Sequence, residues 1–135
     1  MAKVNLTTAF SRYGATLVNP QWAVSAINDG GELVVSCWRH YLKLEKPVLR
    51  YTDTLSRWAG NTAGNNLMRK HLEQALAESL PVRLVVADTE ETDLVDSGTD
   101  VSPAKKTFYA RENLIGKVSE FDGDKFVIEF VEHDA

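Results

Sequence analysis

The most regular hydrophobic pattern in the chain is an alternation. Residues 22–28 and 32–38, WAVSAIN and ELVVSCW, are rich in β-branched and aromatic side chains and flank Asp29-Gly30-Gly31, the composition of a β-hairpin and its turn. Period two puts Trp22, Val24 and Ala26 on one face of the first arm and Ala23, Ser25 and Ile27 on the other. The second arm is apolar on both faces, which predicts a central place in a sheet. Trp22 and Trp38 then fall near the same end of the hairpin, in the position of a cross-strand aromatic pair. A second hairpin is predicted at 114–121 and 125–131 around Asp122-Gly123-Asp124, with Phe126, Ile128 and Phe130 on one face.

Three- and four-residue spacing takes over at 65–79. Leu67, Met68, Leu72, Ala75, Leu76 and then Leu80 form one apolar stripe opposite Arg69, Lys70, Glu73, Gln74 and Glu78, the pattern of an amphipathic helix starting at Asn65 or Asn66. Pro81 stops it, and 82–87 reads as a strand. A short helix is expected at 6–13, capped by Thr7 or Thr8 and ended by Gly14. The short strand candidate at 15–18 is broken by Asn19-Pro20. Residues 44–64 look less regular and end in a Gly/Asn-rich loop. Residues 88–106 run from acidic to Gly/Ser/Pro-rich, the composition of an exposed, mobile loop. The whole predicts an α+β fold in one domain spanning 1–135: a curved, mostly antiparallel sheet of about five or six strands, one main helix and a short N-terminal helix.

Composition narrows the class. The chain has 135 residues, 44% hydrophobic and 25% charged, as an ordinary globular domain does, and no apolar run of membrane-spanning length. No apolar segment follows Lys3 as in a secretory leader, so a cytoplasmic location is expected. The lone Cys37 lies in an apolar run and reads as a core side chain. Net charge is −4, but unevenly placed: residues 1–83 hold ten Lys/Arg against six Asp/Glu, and residues 84–135 five against thirteen. Because local potential governs an encounter, the front part remains suited to a phosphate backbone.

Signatures of catalysis are missing. His40, His71 and His133 stand apart from any metal-ligand spacing, and His71-Leu-Glu73 lacks the paired cysteines that complete a zinc deaminase site. The Gly60–Asn66 stretch lacks the Gly-Lys-Ser/Thr end of a phosphate loop, and no G-x-S-x-G elbow is present. Neither a cofactor, a metal nor an enzymatic activity is expected.

Binding residues are easier to nominate. Trp22, Trp38 and Trp58, with Tyr13, Tyr41 and Tyr51, are interleaved with Arg12, Arg39, His40, Arg50 and Arg57; rings stack on bases and cations hold phosphates. The same tryptophans also serve as core fillers, and both readings stay open. A second group, Asn61, Thr62, Asn65, Asn66, Arg69 and Lys70, surrounds a helix start, where free N–H groups favour anions; helix capping is the alternative use of the asparagines.

Three segments carry a family resemblance: 19–26 with 34–38, 65–86, and 109–130. They are similar to the small DNA-binding modules found with HNH endonucleases in modification-dependent restriction, which resemble the PUA and SRA superfamily of curved sheets that read a modified base. The chain carries no HNH nuclease part, so the resemblance implies recognition without cleavage, with Trp22, Trp38, Arg39, Asn65 and Arg69 as contacts. The expected function is thus a nucleic-acid-binding module sensing a base-modified DNA in phage defence, with Trp22, Trp38, Arg39, His40, Arg57, Trp58, Asn61, Asn65, Asn66, Arg69 and Lys70 as the binding set. The alternative is an immunity, anti-restriction or other inhibitor protein whose acidic strip at 88–100 engages a basic protein partner.

Overall fold

A computed structural model describes residues 5–98 and 104–133. Its centre is a mixed eight-stranded sheet in the order β1-β2-β5-β7-β8-β4-β3, with β6 also on β5. The strands are β1 (Ser25–Ile27), β2 (Leu33–Trp38), β3 (Leu42–Glu45), β4 (Val48–Thr54), β5 (Val82–Asp88), β6 (Thr107–Ala110), β7 (Leu114–Phe121) and β8 (Lys125–Glu132). All neighbours are antiparallel except β2 and β5, which run parallel in register from Leu33↔Val82 to Trp38↔Ala87. The main helix, α2 (Thr62–Glu78), supplies the crossover between them together with the β3–β4 hairpin.

The α+β class, the helix and both hairpins are as the hydrophobic pattern predicts, and β2 does lie between two strands, with Leu33, Val34, Val35 and Cys37 buried. The sheet has more strands than the five or six expected. The excess is β3, β4 and β6. Residues 44–64 are in fact largely ordered as β3, β4 and a 3₁₀ turn at Ser56–Trp58. Their strands look irregular in sequence because one face is solvated and the other, which carries Leu42, Leu44, Leu49 and Tyr51, turns polar at Asp53.

Other boundaries move for local reasons. The first helix, α1 (Leu6–Ser11), is capped by Asn5, whose Oδ1 accepts from Thr8 N at 2.8 Å, not by a threonine. Residues 15–18 form no strand: Ala15 and Leu17 are buried and alternate with exposed neighbours, but the backbone joins no ladder. Asn19 then makes a turn, accepting from Ala23 N through its carbonyl and from Gln21 N through its side chain. Pairing consequently starts at Ser25, and the strand expected at 22–28 shrinks to three residues. Helix α2 begins three residues before 65, because Asn61 is the cap, accepting from Gly64 N at 3.1 Å, and it ends at Ser79 in the left-handed region. Within 88–106 the chain continues β5 to Asp88 and forms a short helix, α3 (Thr92–Asp96); residues 99–103 of the expected mobile loop lie outside the described residues.

Two apolar clusters flank the sheet. On one side Met68, Leu72 and Ala75 of α2 pack with Leu33, Val35, Leu84, Val86, Val118, Ile128, Phe130 and Tyr51, so each of β2, β5, β7, β8 and β4 contributes. On the other, Phe10, Tyr13, Leu17, Ala23 and Ala26 cover Val34 and Val85. This second layer covers only the β1-β2-β5 end. The sheet curls around α2 so far that the Tyr51 hydroxyl of β4 lies 3.3 Å from Trp38 N of β2, although three strands separate them in sheet order.

Candidate functional site

The curl decides which nominated residues meet. Trp22 is half-buried against the outer cluster and Trp38 against the helix-side cluster, so they are not a cross-strand pair; the turn at Asn19 lifts Trp22 out of register. Around the start of α2 three of the nominated side chains bond within the fold. Asn61 donates to Trp22 O at 3.0 Å, and the buried Asn65 donates to Leu55 O at 2.8 Å. Arg69 donates to Gly123 O. Trp58 packs on the helix-side core. Asn66 and Lys70 are exposed on α2. Of the eleven, Asn61, Asn65 and Arg69 thus tie α2 to the loops around it.

A different constellation forms where β2 ends. The 3₁₀ turn Arg39–Tyr41 follows Trp38 and leads into β3, touching both β4 and β5. Arg57, from the turn after β4, donates through Nε and Nη2 to the two oxygens of buried Asp53, both at 2.7 Å, and through Nη1 to Val95 O of α3 at 2.7 Å. Asp53 also accepts from Tyr51 Oη at 3.1 Å and Thr54 N at 2.8 Å. Burial lowers the Arg57 pKa, but the Asp53 carboxylate outweighs it and the net shift is upward. The guanidinium sits 5.1 Å from the centre of the Tyr41 ring, a cation–π distance. Tyr41 in turn donates to Asp96 Oδ1, which also lies 2.9 Å from His40 Nε2. Burial and the Asp96 contact push the Tyr41 hydroxyl up to about 12, so it is a donor at neutral pH. The Tyr41 and His40 contacts hold Asp96 below the ordinary carboxylate range.

Tyr41 also walls a recess of about 420 Å³ lined by Lys43, Glu45, Arg50 and Thr52. Register explains the lining. Lys43 pairs with Arg50, Arg50 with Glu129 and Glu129 with Lys117, so these four form a row across the sheet face opposite α2, where the second layer does not reach. Arg50 is held by Glu45 and Glu129. Arg39, Lys43 and Lys46 are exposed. Between 39 and 50 the sequence carries Arg39, His40, Lys43, Lys46 and Arg50 against Glu45 alone, and folding leaves this basic run on the surface beside an aromatic wall. Sequence reading picked out Arg39, His40 and Arg57 and noted Tyr41 and Arg50, but assigned no site role to Lys43, Glu45, Thr52 or Asp53 and took Asp96 only as part of the acidic strip at 88–100. Alternation of Leu42 and Leu44 with Lys43 and Glu45 was the available signal.

Elsewhere, Ser25 Oγ lies 2.8 Å from His71 Nδ1, a serine–histidine contact. Ser25 is 1% exposed, so no substrate reaches its hydroxyl, and burial lowers the His71 pKa. Cys37 is buried and its thiol pKa is raised well above the ordinary value by burial, as expected of a core side chain. Among the described residues no helix is long and apolar enough to cross a membrane, and no three His, Cys, Asp or Glu side chains group as a metal site. Comparison with protein-family models, with curated proteins and with solved structures finds no match to this chain.

Proposed function

We propose that the chain is a non-catalytic nucleic-acid-binding module that seats an unpaired or flipped base, including a modified base in DNA, in the recess walled by Tyr41. The observation that carries this reading is the recess beside Tyr41, with exposed Lys43 in its lining and the exposed Arg39 and Lys46 close to it in sequence. An aromatic wall is indifferent to base identity, whereas Thr52 at the recess offers a hydroxyl for a base edge. The surrounding cations supply a local positive potential in a chain whose net charge is −4. The sequence resemblance to modified-base readers points the same way.

Fluorescence anisotropy with labelled single strands and with plain and base-modified duplexes tests it. Binding is expected to weaken steeply with salt, Tyr41→Ala to cost about 1–3 kcal/mol of affinity, and Lys43→Ala to reduce the salt slope by about one. Absence of binding to every probe at low salt would rule the reading out. A second reading, a protein module engaging a basic partner, is supported by α3: buried Val95 anchors it while Glu90 and Asp93 remain exposed. It predicts a stoichiometric, nuclease-insensitive partner lost on Asp93→Lys.

A further inference from the structure

We infer that His40 and Tyr41 form a subsite for a backbone phosphate of the bound nucleic acid, and that Asp96 occupies this subsite in the free protein as an internal anion. The inference rests on the nucleic-acid reading above and extends it to regulation. Both donors converge on one oxygen, Asp96 Oδ1, from the turn that follows β2, while the acid comes from the last residue of α3, more than fifty positions later. Arg57 stands over the Tyr41 ring and draws on the same carboxylate. Such a set, a histidine nitrogen, a phenol hydroxyl and a nearby guanidinium, suits a phosphate oxygen as well as a carboxylate oxygen.

Asp96 differs from the other acid in this corner. The Asp53 side chain is 5% exposed and locked to Arg57, whereas that of Asp96 is 53% exposed. An exposed pair of this kind adds little to folding and yields readily to a competing anion. The segment carrying it is seated independently, by Arg57 on Val95 O and by Gly98, where a Cβ would lie 2.0 Å from Arg57 O. Because Tyr41 both lines the recess and bonds Asp96, the recess and this subsite are one side chain apart. Glu90 and Asp93 on the same segment add to the repulsion that nucleic acid must overcome.

The test compares wild type with Asp96→Ala, Asp96→Asn, Asp93→Ala and the double variant His40→Ala/Asp96→Ala, titrated with a labelled single-stranded DNA. Freeing two donors and removing one like charge is expected to tighten binding about tenfold in Asp96→Ala, and the gain is expected to disappear in the double variant. The Asn variant, which preserves shape, is expected to show part of the gain and guards against loss of folding. Equal affinity of wild type and both Asp96 variants would overturn the subsite while leaving the nucleic-acid reading intact. So would an equal gain in Asp93→Ala, or a gain that survives loss of His40, since either reports general charge removal. No binding by any variant would overturn both.

Discussion

Replacing Arg57 by leucine isolates the interaction that ties the corner together. Asp53 has four donors, Arg57 Nε and Nη2, Tyr51 Oη and Thr54 N; Arg57→Leu removes two of them and the countercharge together. The Asp53 side chain is 5% exposed and that of Arg57 16%, so the orphaned carboxylate has almost no access to water. Breaking a buried pair costs about 3–5 kcal/mol, and the partial exposure of Arg57 places the expected loss at the lower end, about 3 kcal/mol. That is a large share of the roughly 5–15 kcal/mol that holds a domain folded. Removing the charge as well, in Asp53→Asn/Arg57→Leu, leaves an amide that still accepts from Thr54 N, and the double variant is expected to lose only about 1–2 kcal/mol. Urea unfolding followed by tryptophan fluorescence measures both, with an unchanged m value as the sign that only stability moved. A single-variant loss below about 1 kcal/mol, or a double variant less stable than the single one, would refute the view that Asp53 is a buried charge dependent on Arg57.

Two further outcomes follow from packing and titration. Gly64 lies within α2, where alanine ordinarily adds about 1 kcal/mol to helix stability; here a Cβ would stand 2.3 Å from Trp22 O, so Gly64→Ala is expected to destabilise by about 1–3 kcal/mol, and a raised urea midpoint would contradict the close approach. The lowered pKa of His71 comes from burial. Its stabilising contribution is present above the unfolded value of 6.5 and is lost as pH falls through the lower folded value, because the unfolded chain takes up a proton first. His71→Gln is therefore expected to flatten the fall in urea midpoint between about pH 7.5 and 5, and parallel curves for the two proteins would dismiss the assignment.

The elements legible in the chain are those whose pattern is long and strongly periodic. The β1–β2 and β7–β8 hairpins, α2 and β5 all announce themselves through runs of apolar residues, since burial on one face or both imposes a period on the sequence. The β3–β4 hairpin did not, because its outer face is solvated and carries Lys43, Glu45 and Arg50. Neither did β6, four residues that borrow their geometry from the edge of β5. The opening of α2 at Thr62-Ala63-Gly64 reads as loop composition, and only the approach of the Trp22 carbonyl explains the glycine.

The Trp22–Trp38 hairpin shows where sequence reasoning stops. Its turn, its second arm and that arm's central position follow from side-chain chemistry alone, which depends on neighbours one to four residues apart. The fate of its tryptophans depends on the turn at Asn19 and on which cluster covers each face of the sheet. So does the candidate site: His40 and Tyr41 meet Asp96 across 56 and 55 positions, and Tyr51 meets Trp38 across a curl of the sheet. The sequence by itself determined the class, the principal strands and helix, and the presence of a basic aromatic stretch. Tertiary structure alone decided which of those charges are neutralised within the fold and which face solvent, because pairing distances are set by strand register and sheet curvature rather than by spacing along the chain.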